Sequence, residues 1–104
     1  MEYCMVITTF PTHKEAMNLA GKLILMKLVA CAQIEQIDSI YSWEGEIHRK
    51  AEFKLTVKSR EALYSAIETF ITARHSYDLP QITKIPITGS KVYRYWIDAE
   101  TIEP

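Results

Sequence analysis

The sequence is poor in the residues and patterns that mark nucleotide-binding, membrane and nucleic-acid-binding proteins. It has three glycines, Gly21, Gly45 and Gly89, and none has the spacing of a phosphate-binding GxGxxG or GxxxxGK loop. Its apolar runs fall well short of the about 18 residues that a membrane-spanning helix needs. The net charge of −1 gives no basic surplus to neutralise nucleic-acid phosphates. We therefore expect neither a membrane span nor a nucleic-acid partner.

Cysteine and histidine are also scarce. Two cysteines, Cys4 and Cys31, lie among apolar neighbours, which favours buried thiols in a reducing compartment over a disulfide or a metal pair. His13, His48 and His75 are too scattered to form an HxxxH pair. The chain has no GxSxG nucleophile motif, and its first residues have neither the basic nor the apolar region of a signal peptide. These features favour an intracellular protein, and most catalytic templates are absent.

The sequence has, instead, a long β-hairpin pattern within a single domain spanning residues 1–104. Apolar and polar residues alternate without a break from residue 47 to residue 58, with Arg49 as the one charged member of the apolar set. Gly45 supplies a turn just before this strand, and Tyr41 and Trp43 precede the turn. The strand exceeds the usual length of about five or six residues. A small domain cannot easily cover it alone, so the hairpin predicts a partner.

The remaining elements follow from hydrophobic period and from capping residues. We predict strands over 3–9, 28–43, 46–58 and 81–88, helices over 13–27, 59–74 and 92–97, and a loop over 75–80. This β-α-β-β-α-β order is α+β and ferredoxin-like: an antiparallel sheet with both main helices on one face, plus a short C-terminal helix. The other face of the sheet then needs a cover.

Three local details are predicted within this frame. Thr12 and Glu15 match a capping box at the start of the first helix. Ser59 is a plausible N-cap of the second helix. Ile34, Ile37 and Ile40 are spaced by three, which one face of a regular strand cannot hold, so a bulge or a bend is expected near residues 36–38.

The loop over 75–80 is the candidate site for chemistry. It brings an imidazole, a phenol and a carboxylate, from His75, Tyr77 and Asp78, within reach of a cation or a small ligand. Alternatively, His75 is a cation that stabilises the carbonyl end of the preceding helix. Glu52 and Lys58 lie on the polar face of the third strand, where a solvated surface is the simpler interpretation.

The aromatic residues allow two further readings. They could form a base-stacking platform, as in RNA-recognition modules of this topology. The third strand carries only Phe53, on its apolar face, so an oligomer seam is favoured.

A series of motifs follows in order over nearly the whole chain: Ala30-Cys31-Ala32, Ser39-x-Tyr41-x-Trp43-x-Gly45-x-Ile47, Glu52, Lys58, His75-x-Tyr77-x-x-Pro80-x-Ile82 and Tyr93-x-x-Trp96-Ile97. These motifs and their spacing resemble those of the CutA divalent-ion-tolerance proteins. The resemblance implies a ferredoxin-like subunit, a homotrimer built from paired hairpins and similar to PII signalling trimers, and a cytoplasmic location. It also implies a role in tolerance of divalent metals, copper in particular, and no established catalytic activity.

The chain departs from the family pattern in the loop. The family usually has His-Pro-Tyr-Glu-x-Pro-Glu-Ile there, whereas this chain has Gln81 in place of the second acidic residue. A neutral amide is a poorer ligand for transition metals than a carboxylate. The resemblance therefore carries over His75, Tyr77 and Lys58, without the family's complete set of acidic residues.

Together these arguments predict a trimer in which the 41–57 hairpin pairs with neighbouring subunits. An intersubunit crevice is expected to bind a cation or a small ligand, with Cu²⁺ or another divalent ion as the candidate metal and His75 as its candidate ligand. The crevice residues are Trp43, Glu52, Lys58, Tyr77 and Trp96. The alternative is a PII-like signalling or structural trimer that presents a rigid surface to a protein partner without binding metal directly.

Overall fold

A four-stranded antiparallel sheet in the order β2-β3-β1-β4 organises the computed structural model, which describes residues 2–103. The elements are β1 (Tyr3–Phe10), α1 (His13–Leu25), β2 (Cys31–Trp43), β3 (Glu46–Arg60), α2 (Tyr64–Arg74), β4 (Thr83–Ile87) and α3 (Lys91–Glu100). A short 3₁₀ turn over Glu61–Leu63 precedes α2. The predicted ferredoxin-like α+β fold is confirmed. Within residues 2–103, no helix is both long and apolar enough to cross a membrane.

The core lies between one face of the sheet and the helices α1 and α2. Val6 of β1 and Leu55 and Val57 of β3 alternate inward and are fully buried, as the sequence period predicts. Leu23 of α1 and Ile67 of α2 pack into the same buried cluster. The core therefore includes only the part of β3 that pairs with β1.

The start of α1 confirms half of the predicted capping box. The Thr12 hydroxyl accepts a hydrogen bond from the Glu15 amide at 3.2 Å. The Glu15 carboxylate accepts bonds from the amide and the hydroxyl of Ser76 instead of reaching back to Thr12. A partner 61 residues away has thus replaced the local one, and α1 is tied to the segment that follows α2.

The predicted ends of β3 and α1 were wrong, because β3 is longer than expected and α1 is shorter. β3 continues to Arg60, which pairs with Tyr3, so Ser59 lies inside a strand and does not cap α2. Its buried hydroxyl donates to the Leu28 carbonyl at 2.6 Å. α1 ends at Leu25, short of Lys27, because Lys27 adopts a left-handed conformation with φ of 57°.

The bulge predicted near residues 36–38 was also wrong. β2 pairs with β3 in one unbroken register from Cys31↔Lys58 to Trp43↔Glu46. Strand alternation then places Ile34 and Ile40 on one face of β2 and Ile37 on the other. The spacing of three arises because both faces of this strand carry apolar residues.

The far half of the β2–β3 hairpin projects beyond the sheet. β1 pairs only with residues 53–60 of β3, so residues 37–52 pair only with each other. We call residues 37–52 the arm; its strands extend about 23 Å past the end of β1. Ile40 and Ile47 are each 67% exposed on it. The arm reverses at Glu44 and Gly45, whose φ values of 51° and 80° fit a type I′ turn.

Helix α3 covers part of the sheet face opposite α1 and α2, at the end of the sheet where β1 begins. The Tyr3 hydroxyl contacts both carboxylate oxygens of Asp98, at 2.9 and 3.0 Å. The buried Arg60 guanidinium donates to the Thr101 hydroxyl and to the carbonyls of Thr101 and Ile102. These bonds fasten α3 and the following residues to β1 and β3. The cover does not extend to the arm.

Candidate functional site

A cleft of about 850 Å³ lies between the arm and the loop that follows α2. The arm contributes aromatic and charged side chains to it, and residues 77–81 form the opposite wall. The principal lining residues are Asp38, Tyr41, Trp43, Lys50, Glu52, Tyr77, Asp78 and Gln81. The cleft therefore contains three aromatic rings, three carboxylates and one ammonium group.

His75 anchors the loop to the end of β1. Its Nδ1 accepts a hydrogen bond from the Tyr77 amide at 3.1 Å, so Nε2 carries the proton and donates to the Thr9 carbonyl at 2.8 Å. The ring also stacks on the buried Phe10, with centroids 4.4 Å apart and planes 9° apart. Burial lowers the pKa of His75 below its ordinary value of 6.5, which favours the neutral ring.

Tyr77 and Glu52 connect the loop to the arm. The Tyr77 hydroxyl donates to the Glu52 carboxylate at 2.7 Å, and Glu52 is only 6% exposed. The Lys50 ammonium lies 4.0 Å from the same carboxylate oxygen. A nearly buried carboxylate therefore has a phenol and an ammonium as partners, as a buried charge requires.

Lys50 lies against two tyrosine rings. Its Nζ is 4.5 Å from the centroid of the Tyr77 ring and 5.6 Å from that of Tyr41, both within cation–π range. The Tyr77 phenol raises the pKa of Lys50, and burial is the main cause of the raised pKa of Tyr77. His48 stacks on Tyr41 at 5.4 Å, which steadies that ring. This end of the cleft is arranged around a positive charge.

The predicted crevice residues form two groups on one chain. Trp43, Glu52 and Tyr77 line the cleft, with His75 behind the loop as its anchor. Lys58 lies six residues farther along β3, about 20 Å away. Its Nζ is 5.8 Å from the ring of Tyr93, which packs against Trp96 at 5.5 Å. A single crevice that contains all five predicted residues requires a second subunit and stays a prediction.

The sequence reasoning missed Tyr41 and Lys50 as one unit of the site. A two-residue turn at residues 44–45 fixes the register, so that Tyr41 is opposite His48 and Ser39 is opposite Lys50. Tyr41 and Lys50 are then diagonal neighbours on the same face. The alternation and the two-residue turn could therefore have predicted the Tyr41–Lys50 pair from the sequence. The contact with Tyr77 depends on the fold of the distant loop.

A single chain does not present an assembled transition-metal site in the part that the structure describes. No group of three or more His, Cys, Asp or Glu side chains is arranged to hold a metal within residues 2–103. Both ring nitrogens of His75 already have hydrogen-bond partners, so coordination would require one of these bonds to break. Cys4 is buried, and burial raises the pKa of its thiol to about 11, which disfavours the ligating thiolate.

Comparison with known proteins gives one consistent result. The family model described as "CutA1 divalent ion tolerance protein" matches residues 4–100. The rice protein "Protein CutA 1, chloroplastic" (Oryza sativa) is 38% identical over 101 residues, which are 95% of this chain and 57% of that protein. The chain spans little more than half the length of the two plant relatives it matches, 57% for the rice protein and 54% for that of Arabidopsis thaliana.

Solved structures share this fold over nearly the whole chain. The crystal structure of CutA1 from Oryza sativa superposes with a TM-score of 0.95 at 36% identity, covering 100% of this chain and 97% of that chain. A structure titled "Periplasmic divalent cation tolerance protein CutA", from Archaeoglobus fulgidus, superposes with a TM-score of 0.92 at 36% identity. It covers 94% of this chain and 97% of that chain.

Proposed function

The chain belongs to the CutA1 divalent ion tolerance family, and on that premise we propose that it acts as a homotrimer whose intersubunit crevices bind a divalent cation or a small ligand. The observation that carries this proposal is the arm. It is a two-stranded ribbon that its own sheet does not support, and isolated two-stranded hairpins are marginally stable in water. A partner subunit would supply the missing contacts.

The exposed residues of the arm indicate which face the partner covers. Ile40 and Ile47 lie on the same face of the strands as the core residues. They belong to the arm, which α1 and α2 do not cover, so both side chains are exposed. Burying the exposed two thirds of each isoleucine contributes about 1–2 kcal/mol. β2 and β4 are the outermost strands of the sheet, so their edges can pair between subunits.

Trimer formation would also complete the site. The cleft contains Trp43, Glu52 and Tyr77, whereas Lys58 and Trp96 lie about 20 Å away on the same chain. A neighbouring subunit that packs along the arm can bring its own Lys58 and Trp96 to this cleft. Cu²⁺ is the first divalent ion to test, and we propose no catalytic role.

Calorimetric titration of the purified protein with Cu²⁺ and Zn²⁺ tests the ligand part of the proposal. His75→Ala removes the predicted ligand and loosens the loop, so we expect the heat of binding to disappear. His13→Ala is the matched control, because His13 only packs edge-on against Phe53. Equal heats for wild type and both variants would refute a metal site at His75.

The second candidate is a PII-like trimer that presents a rigid surface to a protein partner and does not bind metal directly. The observation in its favour is that the described residues of one chain contain no cluster of three metal-ligating side chains. A trimer that gives no heat with either metal, and that binds a defined partner equally well with and without a chelator, would support this candidate.

The cytoplasmic location stays a prediction of the sequence. The rice relative is named chloroplastic and the Archaeoglobus fulgidus structure is titled periplasmic, and those terms describe those proteins. Fractionation of the host cell followed by immunodetection would decide the location of this chain.

A further inference from the structure

We infer that the cleft binds a small organic ammonium ion, and that the side chain of Lys50 occupies the position of the ligand's charge when the cleft is empty. The inference rests on the proposal that the cleft is a ligand site, and it names the chemical class of the ligand. It is carried by the geometry around Lys50 and by the charge of the cleft.

The chain itself shows that this position accepts an ammonium group. The Lys50 Nζ faces the rings of Tyr77 and Tyr41 at 4.5 and 5.6 Å, with the Glu52 carboxylate 4.0 Å away. Two electron-rich rings and a carboxylate are the elements of an aromatic cage for ammonium ions. Trp43, the ring type that binds cations best, lines the same cleft.

Lys50 is held loosely enough to be displaced. Its side chain is 38% exposed, and its 4.0 Å separation from Glu52 is longer than a charge-assisted hydrogen bond. Glu52 keeps the shorter 2.7 Å bond from Tyr77 whether or not Lys50 is present. A ligand cation can therefore replace the Lys50 ammonium without leaving Glu52 unpaired.

The charge of the cleft also selects a cation. Asp38, Glu52 and Asp78 supply three carboxylates against the ammonium of Lys50, and they still outnumber the ammonium groups if a neighbouring subunit adds its Lys58. The carboxylates do not form a group that could chelate a metal in the described chain. A diffuse, weakly hydrated organic cation can use the rings and the general negative charge without such chelation.

Trimer formation along the arm is compatible with this site. Strand alternation places Ile40 and Ile47 on one face of the arm and Tyr41, Lys50 and Glu52 on the opposite face, although Ile40 also lines the cleft. A subunit that covers the isoleucines would therefore border the cleft at Ile40 and can leave the cage around Lys50 accessible on the other face.

The test is calorimetric titration of the full chain with tetramethylammonium chloride, with tert-butanol as a neutral compound of similar shape. We expect tetramethylammonium to bind and tert-butanol not to bind. Lys50→Met removes the internal competitor and should tighten binding about tenfold. Glu52→Gln should weaken binding relative to wild type.

Lys54→Met is the matched control, because Lys54 lies on the same face of β3, four residues from Lys50, but pairs with Glu35 outside the cleft. It should leave the affinity unchanged. Tyr41→Leu gives an independent test, since it removes one aromatic ring from a partly exposed position. It should reduce binding of tetramethylammonium in the Lys50→Met background.

A fluorescence titration locates the ligand. Trp96→Phe leaves Trp43 as the only tryptophan, and its emission should change on binding. The inference is overturned if tetramethylammonium binds no better than tert-butanol to wild type and to Lys50→Met, as it would if a neighbouring copy filled the cleft. It is also overturned if Lys50→Met and Lys54→Met change the affinity equally. Sedimentation of the same samples separates this failure from loss of the trimer.

Discussion

The hydroxyl of Tyr77 donates a 2.7 Å hydrogen bond to the carboxylate of Glu52, 25 residues away in the sequence. This bond joins the loop after α2 to the arm at the point where β1 ends and β3 continues alone. His75 fixes the loop to the end of β1, because it bonds the Thr9 carbonyl and stacks on the Phe10 ring. The cleft is therefore built by tertiary contacts at the junction of the sheet and the arm.

Tyr77→Phe should destabilise the fold by about 1–3 kcal/mol. The variant leaves the nearly buried Glu52 carboxylate with one remaining partner, the Lys50 ammonium at 4.0 Å. Urea denaturation measures this change in the free energy of unfolding. Tyr95→Phe is the control, since the Tyr95 ring is largely exposed on α3. Similar stabilities for the two variants would show that the bond contributes little.

His75 should make the fold sensitive to mild acid. Its pKa in the fold lies below 6.5, so between the folded and unfolded pKa values the unfolded chain binds more protons. The stabilisation is fully present above pH 6.5 and is lost as the pH falls through the folded pKa. In His75→Gln, the free energy of unfolding should decline less between pH 7 and the folded pKa. An unchanged decline, equal to that of a His13→Gln control, would argue against this assignment.

Glu44→Asn should stabilise the hairpin by about 0.5–1 kcal/mol. Glu44 has a φ of 51°, and an Asn-Gly pair is preferred in a type I′ turn. Glu46→Asn, on the other side of the turn and inside β3, tests for a mere loss of charge. If both variants change the midpoint of urea unfolding equally, turn geometry is not the cause.

The sequence predicted the parts of the fold that depend on local rules. The alternation in β3 identified a long strand with one buried face, Gly45 marked the turn, and Thr12 marked the start of α1. The resemblance of the motifs predicted the family, which the family match over residues 4–100 confirms.

Most of the errors arise where more than the local sequence pattern decides the structure, whereas the early end of α1 is set locally at Lys27. The spacing of Ile34, Ile37 and Ile40 indicated a bulge only on the assumption that one face of β2 is apolar. Ser59 looked like a cap because its partner, the Leu28 carbonyl, lies 31 residues away. Local patterns do not reveal such partners, and the Lys50–Tyr77 contact was missed for the same reason.

The apolar face of the arm should control assembly. Ile47→Glu places a charge on the face that we expect a neighbouring subunit to cover, and burying an unpaired carboxylate is costly. We expect this variant to shift the protein from trimer to monomer while retaining secondary structure near the sheet. Leu25→Glu is the control, because Leu25 is 82% exposed at the end of α1, away from the arm.

Sedimentation equilibrium of the wild-type chain at micromolar concentration tests the central claim most directly. We predict a single species of about 36 kDa, three times the 12.0 kDa of one chain. A well-folded species of 12.0 kDa would contradict the account, because the arm would then be stable without a partner subunit.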